Sequence, residues 1–542
     1  MGVPQEFLQL AFASAARAWM RGNPPGHGIN WTSSLEAALR VIAWSWALVL
    51  FRGSRALTPG LFAEMLEGVT VHAAHVERYL SYHFSPNTHL SGEALGLFYA
   101  GVLFPDLGRA GRWRRLGWRI LVEECSRQVL ADGMHFELST CYHRYTAEIY
   151  LHFLLLARRS GLAVPATVTD RLGRMMDVLL ALRLPDGSMP QIGDADGGWL
   201  LPLSRRTPGD LRGLFAIAAA LFGRSDCAWA AEGAAPEALW MLGPAGASAL
   251  DTLAPRPPAW SGSRNLSVSG YVVMRSGWDR RAHHLILDAG PLGCPVSAGH
   301  GHADLLSIQC AVFGESYLVD PGTYGYAGGD GWRDFFRGTA AHSTVVVDGV
   351  GQALPRGPFA WQERPRARLT HLGTTGGLDV AEAEHTAYHR LADPVTHRRR
   401  IIQVQQLGWV IVDDLDGAAE HEIELCFQWA PIEVNVGPLW ARARGAGGHG
   451  LLVRPFAAVP LEAKICEGET SPPRGWVSPD YGRREPAPAL IYSAATRLPL
   501  RIATVLHPVA DGLAPAPDVS AVFRGTEPVA LSWGGGRERV DL

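Results

Sequence analysis

Residues 299–326 read GHGHADLLSIQCAVFGESYLVDPGTYGY, and residues 333–349 read RDFFRGTAAHSTVVVDG. Short apolar runs alternate with Gly, Pro and Asp at turn positions, the pattern of antiparallel strands. The same pattern continues outward: SVSGYVVMRS (267–276) and HHLILDAG (283–290) lie before it, RRRIIQVQQLGWVIVDDLDG (398–417) and IELCFQW (423–429) after it. This half of the chain reads as an antiparallel β-sandwich.

Upstream the period changes to helical spacing. Amphipathic helices are expected over 5–21, 33–51, 61–83, 93–103, 112–130, 145–158, 167–182 and 210–221. Ser33 with Glu36 forms a capping-box pattern. Repeated antiparallel helix pairs suggest an α/α toroid. An Ala/Pro/Gly-rich stretch over 233–263, ending in APRPPAWSGS, is the expected junction. The expected division is a toroid over 1–245 and an antiparallel sandwich over 246–542, a multidomain α+β chain with a site between the two.

At 542 residues, 47% hydrophobic and 19% charged, the chain is an ordinary globular protein too long for one core. A net charge of −3 gives no basic field for nucleic acid, so an anionic ligand must meet a local cluster. Seven scattered cysteines without a CxxC pair argue against a disulfide framework. The longest apolar stretch, 41–51, is too short to span a bilayer, which needs about 20 residues. The first residues show no signal peptide, so the expectation is a cytoplasmic chain, or a periplasmic or secreted one if the N-terminus is truncated.

Two clusters could carry chemistry. His300 and His302 are two apart and would share one face of a strand; Asp320 and His342 follow the next apolar runs. Two imidazoles and a carboxylate suit zinc, but a core histidine pair and an aspartate turn before Pro321–Gly322 fit equally. The other cluster lies in SPNTHLSGEALG (85–96) and HFELSTCYHRYT (135–146). Asn87 and His89 stand before one helix; Glu137, Tyr142, His143 and Tyr145 stand at the next such loop. A helix cap and amphipathic core tyrosines are the plain alternatives.

Together these segments resemble the heparinase II/III superfamily of polysaccharide lyases, from about residue 30 through the sandwich. The GHGHAD, VDPGTY and AAHSTV segments are the most specific part. The resemblance implies a toroid followed by a sandwich, and β-elimination on uronate polymers such as glycosaminoglycans or alginate. It implies that Asn87 and His89 engage the uronate carboxylate, Tyr142 is the catalytic tyrosine and His300 the catalytic histidine. It further implies that His302, Asp320 and His342 hold one divalent metal, zinc, in a mainly structural role. NTH stands where relatives often show adjacent Asn–His, and few residues precede RGNPPGHGINWTSSLEAALR (21–40), so either a shortened toroid or a wrongly assigned start is expected.

Elimination removes the C5 proton beside a carboxylate, so the enzyme must stabilise the developing enolate. Asn87 and His89, with Arg333 or Arg337, are the expected donors. Tyr142, with a reference pKa of about 10, is expected to be shifted down by His89, His143 or nearby arginines. Glu137 is a further candidate at the substrate, and Trp31 and Tyr324 are expected sugar-stacking residues. The rivals are a glycoside hydrolase using Glu137 with Asp194 or Asp196 of IGDADGG (192–198), and a non-catalytic polysaccharide-binding protein.

Overall fold

The computed structural model describes residues 5–542 except 234, 261–262, 329, 406, 516 and 526. Each of the eight expected helices is present, from Gln5–Gly22 to Arg212–Phe222. Local chemistry starts them. Ser33 and Thr58 accept hydrogen bonds from Glu36 N and Leu61 N, and Pro59 opens its helix. The helices Ser34–Leu50, Thr88–Leu103 and Thr140–Arg159 pack into one apolar core with those that follow, around Phe98, Tyr150, Phe153 and Leu179.

The expected junction is partly helical. Pro236–Asp251 forms a helix bent at Gly243, φ 72°, beside Pro244; Ala and Leu around them keep helical propensity on both sides. The first strand begins at Arg264. Residues 234, 261 and 262 of that stretch lie outside the described residues.

The C-terminal half is antiparallel throughout its named sheets. Five strands from Arg264–Leu266 to Glu315–Leu318 pair in chain order. An eight-stranded sheet is centred on Val395–Val404, Gly408–Asp416 and Leu500–Val509. A four-stranded sheet includes Val345–Val347, Glu420–Gln428 and Ala489–Arg497. Alternation along the strands assigns their faces. Ile401, Trp409 and Ile411 point into the shared core with Leu287, Val345 and Phe427. Ile402, Val410 and Val412 face the opposite way, onto Val519, Leu531 and Val540 of a three-stranded sheet. The chain is thus an α/α toroid followed by an antiparallel β-sandwich.

The halves share a core of their own: Met134, Leu138, Val178, Leu182 and Ile192 pack on Leu266, Tyr271, Val273 and Ile286. Asp132 Oδ2 accepts from Val268 N (2.9 Å), Ser269 N (2.7 Å) and Ser269 Oγ (2.9 Å). Among the described residues no helix is long and apolar enough to cross a membrane.

Candidate active site and metal cluster

Two helix starts from the toroid and two loops from the sandwich meet at one point. Asn87 is the N-cap of Thr88–Leu103, its Oδ1 accepting from His89 N at 3.1 Å. Its Nδ2 donates to Glu137 Oε1 at 2.6 Å, and Thr88 Oγ1 donates to the other Glu137 oxygen. The cap reading of Asn87 is thus seen, and the same side chain also reaches Glu137. Leu138, at φ 57°, turns the chain so that Ser139 can cap Thr140–Arg159 by accepting from Tyr142 N. Tyr142, His143 and Tyr145 accordingly lie inside that helix rather than in the loop before it.

The Tyr142 hydroxyl lies 3.1 Å from Asp196 Oδ2 and 2.8 Å from Tyr326 Oη. Its ring stacks on His300, centroids 4.0 Å apart. Burial pushes the phenol well above the usual tyrosine range, and Tyr326, Asp196 and Asp194 add to it. This corrects the expectation of a depressed value: the nearest charges are carboxylates, not cations.

His300 and His302 lie in the loop before Ile308–Val312, not on a strand. Both rings converge on Asp194 of the 192–198 loop. His300 Nδ1 is 2.9 Å from Asp194 Oδ2, and His302 Nε2 is 3.1 Å from Oδ1. Arg333 grips the same carboxylate through both terminal nitrogens, Nη2 at 2.7 Å. Burial opposes the charge on Asp194, but Arg333 and the two histidines outweigh it and hold the carboxyl far below its ordinary range. Such a carboxylate cannot serve as the acid of a hydrolase. Burial also opposes charge on His300; Asp194 and Glu137 nonetheless hold its pKa above the usual value. His300 Nε2 lies 3.7 Å from Glu137 Oε1. Burial lowers His89, which feels the charges of Glu137, His300 and Asp196.

Behind His300, ligand atoms of His302, Asp304, Asp320 and His342 lie within 4.8 Å of one another. His302 Nε2 faces Asp194, and His342 Nδ1 faces Gly338 O at 2.8 Å, which assigns the ring protons to those atoms. In the neutral rings the remaining nitrogens, His302 Nδ1 and His342 Nε2, bear the lone pairs, and they face each other at 3.1 Å. Asp320 Oδ2 lies 3.4 Å from His342 Nε2, while Oδ1 accepts from Gly322 N as a turn aspartate would. Burial raises the Asp304 carboxyl above its ordinary range; His342 and His302 oppose the shift and Asp320 adds to it. Converging lone pairs and crowded carboxylates fit a divalent cation.

Several expected site residues stand elsewhere. His143 is fully buried, its Nδ1 accepting from His135 N and its Nε2 facing Met175 O. Trp31 stacks on His72, away from Tyr142. Arg337 is spent on Asp334 and the carbonyls of Gly357 and Pro358. Arg333 reaches the site, but its charge is taken by Asp194. Tyr324, at φ 62°, lies under Arg484 and against Phe336; it is Tyr326, two residues on, that reaches Tyr142. Tyr326 and Asp304 are not among the residues the sequence points to, although each stands two residues from one that is, Tyr324 and His302. In the sequence Asp194 and Asp196 fit a hydrolase carboxylate or a Gly-rich turn, because their partners His300, Arg333 and Tyr142 are distant in the chain.

Profiles described as the heparinase II/III N-terminus and the heparinase II/III-like C-terminal domain match residues 5–200 and 260–510. A heparin-sulfate lyase of Pedobacter heparinus is 27% identical over 470 residues, covering 84% of this chain and 63% of that protein. One from Bacteroides stercoris is 25% identical over 90% of this chain and 67% of its own length. The chain thus spans somewhat under two thirds of the Pedobacter relative. A crystal structure of heparinase III superposes with a TM-score of 0.80 at 21% identity, over 99% of this chain and 79% of that one. With both halves matched by the two profiles of one family, the chain belongs to the heparinase II/III family.

Proposed function

We propose that the chain is a polysaccharide lyase that cleaves uronate-containing polysaccharides by β-elimination, leaving an unsaturated uronate. The observation that carries this reading is the Tyr142 hydroxyl, held between Asp196 and Tyr326 and stacked on His300, with Asn87 and His89 alongside. The names of the relatives favour a heparan-type glycosaminoglycan over alginate as substrate.

Asn87 and His89 donate to the uronate carboxylate and stabilise the enolate as C5 loses its proton. Tyr142 takes that proton. Because burial keeps its phenol neutral, its own proton passes to Asp196 Oδ2 as the C5 proton arrives. Tyr142 then protonates the departing O4 and recovers its proton from Asp196. Tyr326 fixes the direction of the hydroxyl. His300 is the base for sugars whose C5 proton faces the other way.

A sugar ring between two flanking groups needs about 7 Å, two contact distances of about 3.5 Å. The 4.0 Å stack of Tyr142 on His300 is too close, so the two rings part when substrate binds. His302, Asp304, Asp320 and His342 are the residues that would hold a divalent cation, and imidazole with carboxylate suits zinc. When bound, it supplies positive charge that neutralises the buried carboxylates and fixes the His300 loop, a structural role.

Incubating the protein with heparan sulfate, hyaluronan, chondroitin and alginate should raise ultraviolet absorbance from new C4–C5 double bonds with at least one of them. Chain shortening without that absorbance would establish hydrolysis and overturn the reading.

A further inference from the structure

The metal cluster belongs to the sandwich, but the carboxylate that orients its histidine belongs to the toroid. Asp194 is fully buried and accepts from His300 and His302 of one sandwich loop and from Arg333 of the short helix Trp332–Phe336. The backbone around it is docked as tightly. Asp194 N donates to His300 O at 3.0 Å, and Ala195 N donates to Thr323 Oγ1 at 2.7 Å. On the toroid side, Ser139 Oγ donates to Asp194 O at 2.6 Å and Thr140 N donates to Ile192 O at 3.1 Å. At Gly193, φ 63°, an added Cβ would lie 2.7 Å from His300 O, so the approach tolerates only glycine.

We propose that Asp194 is a positioning residue through which metal binding in the sandwich and docking of the toroid stabilise each other. The inference rests on the metal reading given above, not on the lyase chemistry. Its basis is the His302 ring. With Nε2–H committed to Asp194, Nδ1 is the atom left to bind a cation, which makes a carboxylate–histidine–metal arrangement that crosses the domain boundary. A cation at Nδ1 polarises the Nε2–H bond and strengthens its attachment to Asp194. Separating the domains removes the group that sets the ring's tautomer and leaves Arg333 and Asp194 as unpaired charges. Coupling of this kind is reciprocal: whatever docking adds to metal affinity, the metal adds to docking. A plain Asp194–Arg333 ion pair at the interface would do neither.

The test uses the full chain stripped of metal with a chelator and titrated with zinc against a chromophoric competitor. Asp194→Asn is expected to bind zinc about 10–100-fold more weakly than wild type, the usual loss when such an outer carboxylate is removed. In parallel, hydrogen exchange of wild-type peptides covering 192–196 is followed with and without zinc. Zinc is expected to slow exchange at Asp194 and Ala195, which carry no metal ligand. Equal zinc affinity in a folded Asp194→Asn protein, or wild-type exchange unchanged by zinc, overturns the coupling alone. A wild type that binds no zinc overturns it together with the metal assignment and leaves the elimination chemistry standing. If Asp194→Asn does not fold, the wild-type exchange experiment decides.

Discussion

At the residue scale, the proposed chemistry turns on two aromatic groups. Tyr142 comes from the toroid and His300 from the sandwich, and they meet ring to ring. In glucuronate the C5 proton and O4 lie on one face, so Tyr142 can take the proton and return it. In iduronate the C5 proton faces the other way, and the base proposed for it is His300. His300→Ala is therefore expected to reduce turnover of iduronate-rich substrate about 10²–10⁴-fold, the usual cost of losing a general base, and of glucuronate-rich substrate much less. Purified substrates of each epimer measure this, and equal losses would reduce His300 to a binding role. Tyr142 and His300 stand in short local motifs, which is why the family resemblance can single them out in the sequence. The partners of Tyr142 are not legible in this way: Asp196 and Tyr326 lie 54 and 184 residues from it and come together only in the fold.

At the element scale, helix caps do the positioning, and periodicity and capping chemistry made the helices themselves readable. The strand expected for His300 and His302 failed because a spacing of two does not distinguish a strand from an extended loop held by distant groups such as Asp194. Helix Thr88–Leu103 carries a further buried carboxyl, Glu93, which accepts from Ser81 N at 2.8 Å and Ser81 Oγ at 2.6 Å. Burial outweighs those bonds and raises its pKa from 4.5 to about 7. A carboxyl raised on folding binds its proton more tightly in the folded state. Its stabilising effect is whole below pH 4.5 and declines up to about pH 7, by about 3 kcal/mol across that window. Glu93→Gln is expected to remove that pH dependence and to exceed wild type in stability at pH 8. Denaturant unfolding at pH 5 and pH 8 checks it; an equal fall in both proteins would mean Glu93 is not the cause. The candidate metal cluster draws together three segments of the sandwich, at 302–304, 320 and 342. His302→Ala should lose bound zinc by elemental analysis and melt at lower temperature, whereas a metal-free wild type of unchanged stability would contradict the metal's structural role.

At the scale of the whole molecule, the proposed chemistry needs the toroid docked on the sandwich, because Tyr142 and His300 come from different halves. The two-domain division was visible as a change of period, from helical spacing to alternation. The interface was not, because Met134, Val178, Tyr271 and Ile286 are ordinary core residues in any one-dimensional reading. Asp132 is expected to be a principal polar tie. Asp132→Ala removes the acceptor of two backbone amides and should cost about 2 kcal/mol, with calorimetry resolving the two halves as separate transitions. A single unshifted transition would show that the apolar interface suffices without it. The central claim, that this docking places Tyr142 to shuttle the proton of an elimination, is tested most directly by the double-bond absorbance of three folded proteins on one uronate polymer. Wild type and Tyr145→Phe are expected to generate unsaturated product at comparable rates, and Tyr142→Phe none. An active Tyr142→Phe, or loss of activity in Tyr145→Phe instead, would contradict it.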